Sequence, residues 1–83
     1  MSLIEEEKDT IIRRLKEIME DNDLTLKDLG GIMGITEATA SRYLSGGVDE
    51  IPRKRIRTLA EHYGLNPGWI LGVSEKKFLY GKE

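Results

Sequence analysis

Apolar residues recur every three or four positions along nearly the whole chain, and no stretch alternates apolar with polar as a half-buried strand does. Ile4, Ile11, Ile12, Leu15, Ile18 and Met19 form one stripe, which predicts a first helix ordered by about Glu6 and stopped by Asp21-Asn22-Asp23. Ser2 and Glu5 have the spacing of a capping box, and Glu5, Glu6, Glu7 and Asp9 suit a helix N-terminus. Met1-Ser2-Leu3 also reads as a vector-derived leader. Thr25 caps a second helix over 26–33, and Thr36 caps a third from Glu37 to about Ser45, which Gly46-Gly47 ends. Pro52 fits the first turn of a fourth helix whose buried face is Ile56, Leu59, Ala60 and Tyr63, closed by Gly64. Asn66-Pro67 opens a short fifth helix over 67–71, closed by Gly72, and Trp69, Ile70 and Leu71 are apolar enough that this turn must dock on the core. The expected class is all-α.

Residues 25–46 carry the most information, because two short helix patterns meet at Gly34 with the spacing of a helix-turn-helix. Gly30, five positions before Ile35, predicts a close approach of the two helices. The expectation there is that alanine fits and gains about 1 kcal/mol of helix propensity, while leucine overpacks. Gly31 has no packing reason in the pattern. In the third helix Ala40 and Tyr43 point inward, which puts Glu37, Ala38, Ser41, Arg42 and Ser45 on the opposite face. That face is free to enter the major groove of DNA.

Composition narrows the function. Eighty-three residues make one domain, which at this size buries only about 60–65% of its unfolded surface and so needs a well-packed core. The chain has no cysteine, which excludes disulfides, thiolate metal sites and a thiol nucleophile, and its one histidine, His62, falls on an outer helix face. No apolar run reaches the ~20 residues of a membrane span and no signal peptide is visible, so the default location is the cytoplasm. No phosphate loop, paired catalytic carboxylates or nucleophile–base pair is recognisable, so neither an enzyme nor a cofactor or metal is expected. The net charge of −2 is unevenly spread. Residues 1–24 hold four Lys/Arg against eight Asp/Glu, and residues 25–60 hold six against four, so the motif segment is the positive one.

Three linked segments, LTLKDLGGIMGITEATASRYLSG, IPRKRIRTLAEHYGL and NPGWILG, resemble in kind and order the DNA-binding domain of phage lambda repressor and Cro-type regulators. The resemblance covers residues 8–72, leaving 1–7 as a lead-in, helical or vector-derived, and 73–83 as a C-terminal tail. It implies a compact five-helix, lambda-repressor-like fold with helices two and three as the helix-turn-helix. It also implies that the positions of Glu37, Ala38 and Arg42 read bases. Chemistry supplies a role for each: Arg42 can bond guanine O6 and N7, Glu37 can accept from cytosine N4, and Ala38 can pack on a thymine methyl. Ser41 shares that face as a further base reader, and Thr39 suits a phosphate. Further phosphate contacts are expected from the helix starts at Thr25 and Thr36 and from Lys27, Arg53, Lys54, Arg55 or Arg57. The resemblance favours the start of helix four, hence Arg53 and Lys54.

Two positions depart from the family pattern. The first residue of helix two, often a phosphate-binding glutamine, is Leu26, and the loop between helices three and four, often basic, carries Asp49 and Glu50. The expected function is a sequence-specific regulator of transcription, a repressor binding an inverted repeat of double-stranded DNA as a homodimer. Two other readings are an antitoxin on the same fold and a protein-interaction module without DNA binding, the latter supported by Leu26, Asp49 and Glu50. The chain reads either as a short regulator or as a domain separated from the self-cleaving, oligomerising domain that such repressors often carry. In the tail, Phe78-Leu79-Tyr80 is an apolar cluster suited to folding back, to contacting a two-fold mate or another protein partner, or to starting a linker.

Overall fold

Capping residues decide where most of the helices begin, since the first N–H groups of a helix have no partner within it. The computed structural model describes residues 3–79, with side chains from Glu7 onward, as α1 (Leu3–Asn22), α2 (Leu26–Met33), α3 (Glu37–Ser45), α4 (Arg53–Tyr63) and α5 (Pro67–Leu71). The Thr25 hydroxyl accepts from the Asp28 N–H, the Thr36 hydroxyl from the Thr39 N–H, and the Asn66 side chain from the Gly68 N–H. The pattern puts Pro52 in the first turn of α4, but it is instead the residue before the helix and brings no side-chain bond to its start. α1 already includes Leu3, three residues ahead of the expected start, and the Ser2–Glu5 capping box lies outside the described residues. Its end follows the polar run, where Asp23 takes φ 54° and the Asn22 amide donates to the Ile18 carbonyl at 2.9 Å. Asp and Asn adopt such a left-handed backbone at lower cost than most residues.

The core is the convergence of the five apolar stripes. Ile11, Leu15 and Ile18 of α1 meet Leu29 and Met33 of α2, Ala40 and Tyr43 of α3, Ile56, Leu59 and Ala60 of α4, and Trp69 and Ile70 of α5. α2 packs on α3 and α4, and α1 packs on α5 and α3, so the helix-turn-helix is supported from behind by α4 and α1. Ile12, Met19, Tyr63 and Leu71 are half-buried at the edge of this core, which makes Tyr63 more exposed than its place in the stripe suggests. Two core residues, Ile51 and Leu65, come from connecting segments that helical periodicity does not flag.

The C-terminal segment folds back on its own domain as far as Leu79. Lys77 C=O accepts from Asn66 N–H at 2.8 Å, Leu79 N–H donates to Gly64 C=O at 3.2 Å, and Leu65 and Phe78 form an antiparallel bridge. Lys77 then reaches α1, with its Nζ 2.9 Å from Glu17 and 2.8 Å from Asp21, spaced one helical turn apart. These bonds, Asp21 foremost and then Glu17, raise the Lys77 pKa above the ordinary lysine value. Trp69 has two cations over its ring, the Arg14 guanidinium at 4.4 Å and the Lys77 Nζ at 5.0 Å from a ring centroid. Phe78 and Leu79 stay part-exposed, and Tyr80, the third residue of the apolar cluster, lies outside the described residues.

Candidate nucleic-acid interface

The turn between α2 and α3 is built on one carbonyl. Gly30 C=O accepts from the Gly34 N–H, the cap of α2, and from the Ile35 N–H at 2.8 Å. Gly34 takes φ 79° in doing so, a backbone that glycine adopts without steric cost. The chain then doubles back so tightly that a Cβ at Gly30 would stand 2.9 Å from the Ile35 oxygen and 3.2 Å from the Thr36 carbonyl carbon and oxygen. Gly30 is therefore required by contact with backbone, and the expectation that alanine fits there is wrong. Side chains can give way to a methyl group; the carbonyls that start α3 cannot do so without moving the helix. Gly31, one residue on, is exposed with nothing within 4 Å.

From this turn α3 presents one open face. Ala40 and Tyr43 are buried, while Glu37, Ala38, Ser41 and Arg42 are all exposed side by side. Thr39 is half-buried and its hydroxyl accepts from that of Thr36 at 2.9 Å. Ser45, also on the exposed face, turns its hydroxyl onto the Arg42 carbonyl at 3.1 Å. Arg42 stands in the last turn of α3, where a cation is favoured by the helix dipole. Its guanidinium makes no hydrogen bond or ion pair among the described residues, whose only ion pairs are those of Lys77.

The other predicted anchors divide into two groups. At α2, the Thr25 N–H donates to the Asp28 carboxylate at 3.0 Å while the Thr25 hydroxyl accepts in return. The backbone bond first and the side chain second hold the Asp28 pKa below the ordinary carboxylate value, so a negative charge already sits at this helix start, beside exposed Lys27. At α4 the start carries neither a side-chain cap nor an acidic residue, and Arg53 and Lys54 are exposed there, with Arg57 one turn on. Cations at a helix N-terminus oppose its dipole, so this end is electrostatically suited to an anion. Arg55 is in neither group: its Nη1 donates to the Met33 carbonyl at 3.3 Å, which ties α4 to the end of α2. Leu26, in place of a phosphate-binding glutamine, is half-buried against the core. Asp49 and Glu50 are exposed in the loop joining α3 to α4.

The model of the Cro/C1-type HTH DNA-binding domain matches residues 14–76. The chain belongs to that family. No curated protein and no solved structure matches it. Membership accounts for the five-helix order and for the open α3 face, since a Cro/C1-type domain binds DNA through its helix-turn-helix. The matched residues extend four positions past Gly72, taking in the segment that leads to Lys77. Sequence reasoning placed the α3 face but missed Lys8, Arg14 and Lys77 and took Arg55 for a candidate phosphate contact; the partners of these four are carbonyls, carboxylates or rings up to 60 positions away. Periodicity carries no signal for such pairs. No helix among the described residues is long and apolar enough to cross a membrane.

Proposed function

We propose that this protein is a sequence-specific regulator of transcription, a repressor that binds an inverted repeat of double-stranded DNA as a homodimer and acts by covering a promoter. The observation that carries the reading is the exposed α3 face of Glu37, Ala38, Ser41 and Arg42, unpaired within a Cro/C1-type domain. In this reading Arg42 bonds guanine O6 and N7, Glu37 accepts from cytosine N4, Ala38 packs against a thymine methyl, and Ser41 bonds a neighbouring edge. Arg53 and Lys54 hold phosphate at the open start of α4. Lys27, the Thr25 and Thr39 hydroxyls and the start of α3 at Thr36 hold the strand on the other side. Two subunits related by two-fold symmetry would place their α3 helices about 34 Å apart, in successive major grooves on one face of the duplex.

Selection from a random duplex library followed by affinity measurement against salt tests this. The expected site is an inverted repeat with half-sites one helical turn apart. Three or four phosphate contacts per half-site give a log–log salt slope of about −5 to −7, at ~0.9 per contact. A slope near zero, or no binding to any duplex at low salt, overturns the reading. Such a result would favour a protein-interaction module, for which exposed Asp49 and Glu50 beside the α3 face are the supporting observation.

A further inference from the structure

The α3 helix is gripped at both ends by charged side chains that come from outside the helix-turn-helix. Before α3, Arg55 of α4 donates to the Met33 carbonyl at 3.3 Å, across 22 positions of sequence. After α3, Lys8 of α1 donates its ammonium to the Val48 carbonyl at 2.9 Å, across 40 positions. Both donors are half-buried, and charge-assisted bonds of this kind are stronger than bonds between neutral groups. Met33 C=O belongs to the last turn of α2, where carbonyls have no partner within the helix. The missing side chain of Gly34 makes room for the guanidinium, since a Cβ there would stand 2.9 Å from Arg55 Nη1.

We propose that Lys8 and Arg55 are positioning residues that fix the direction of α3 against α1 and α4, and so set how accurately Glu37, Ala38, Ser41 and Arg42 meet the base edges. The proposal rests on the DNA-binding reading above. Base contacts need geometry held to within about 0.5 Å and 10–20°, whereas phosphate attraction tolerates a looser fit. Loss of either grip therefore weakens reading more than holding.

The test uses Lys8→Met and Arg55→Met, which keep an apolar stem and remove the donor, with affinities measured for a selected site and for a random duplex at one salt concentration. Each variant is expected to lower the ratio of selected to random affinity about five- to tenfold, with little change in salt slope. A merely structural role would lower the melting temperature and leave the ratio, measured well below melting, unchanged; that result overturns the proposal. Equal losses on both duplexes with a slope shallower by about one unit would identify a phosphate contact and overturn it too. Should a methionine variant fail to fold, Lys8→Leu and Arg55→Leu, which also lack a donor, are read the same way. A wild-type protein that binds no duplex fails the DNA reading and the proposal together. A wild type that binds while its variants keep the ratio fails the proposal alone.

Discussion

The two sides of this domain use their cations differently. On the side of α1, α5 and the returning C-terminal segment, Lys77 is locked between Glu17 and Asp21, and the Arg14 guanidinium lies over the Trp69 ring. On the side of α3 and the start of α4, Arg42, Arg53, Lys54 and Arg57 are exposed, and their charged groups make no bond among the described residues. The first side therefore commits Lys77 and Arg14 to partners within the fold, though the Arg14 Nε is buried without a hydrogen-bond partner, and the second leaves its cations open. The backbone follows the opposite trend: beside those open cations the α2–α3 turn is packed so closely that Gly30 touches the carbonyls that start α3. The side proposed to bind DNA thus combines a closely packed backbone with uncommitted side chains, which is the arrangement that presents a fixed face to a charged ligand.

The strongest test of that rigidity is Gly30→Ala. A Cβ 2.9 Å from the Ile35 oxygen forces the α2–α3 turn apart, so the expected destabilisation is about 1–3 kcal/mol, with Gly30→Leu worse. Trp69 fluorescence during denaturant unfolding reads it, since the indole is buried in the core. An alanine variant as stable as wild type would show that the turn yields, and the contrast between a rigid side and a latched side would lose its first half.

The gap between sequence and structure has one physical origin. Helix bounds for α2, α3 and α5 are legible because Thr25, Thr36 and Asn66 act on N–H groups two or three residues away. The inward and outward faces of α3 are legible because 3.6-residue periodicity places Ala40 and Tyr43 together. Gly30 is legible as a place of close approach, yet whether a methyl group fits depends on tenths of an ångström set by the turn, and the expected tolerance was wrong. Lys8 and Lys77 look like ordinary solvated cations in the sequence, and Arg55 like a candidate phosphate contact, because nothing local marks their distant partners.

Uncommitted side chains predict separable roles. Arg42→Ala is expected to cost about 1–3 kcal/mol per half-site on a selected sequence, and less on random DNA, because it removes a base contact. Arg53→Ala is expected to weaken both duplexes alike and to make the salt slope shallower by about one unit per lost contact. Both residues are exposed, so thermal melts should match wild type. The reverse assignment of effects would mean that α3 lies along the backbone and α4 reads the groove.

On the latched side, Lys77→Met removes the ties to Glu17 and Asp21. Their side chains are 43% and 50% exposed against 26% for Lys77, so solvent screening limits the expected loss to about 0.5–1 kcal/mol. The raised Lys77 pKa fixes the sign of the pH dependence. The ties contribute fully below the ordinary lysine value and are lost as pH rises through the higher folded value, in the alkaline range. The Asp28 cap behaves oppositely, present above the ordinary carboxylate value and lost as pH falls through its lowered one. Wild type and Lys77→Met should accordingly differ in stability near neutral pH and converge at strongly alkaline pH. A constant gap across that range would mean that the charge of Lys77 is not what stabilises this side, and the ion-pair account would fail.

The smallest effect expected separates two reasons for a glycine on the binding side. Gly31 is exposed in α2 with nothing within 4 Å of an added Cβ, so alanine there meets no obstacle in the free protein. Helix propensity alone favours Gly31→Ala by up to about 1 kcal/mol, and at this domain size 1 kcal/mol raises the melting temperature by roughly 4–8 °C. The contrast with Gly30→Ala, opposite in sign one residue away, isolates backbone contact from propensity. DNA affinity is the second readout. If α3 alone enters the groove, the more stable variant binds as wild type does. If it melts higher yet binds DNA at least tenfold more weakly, the duplex approaches the α2 backbone closely enough to exclude a methyl group, and the binding face extends from α3 across the second half of α2.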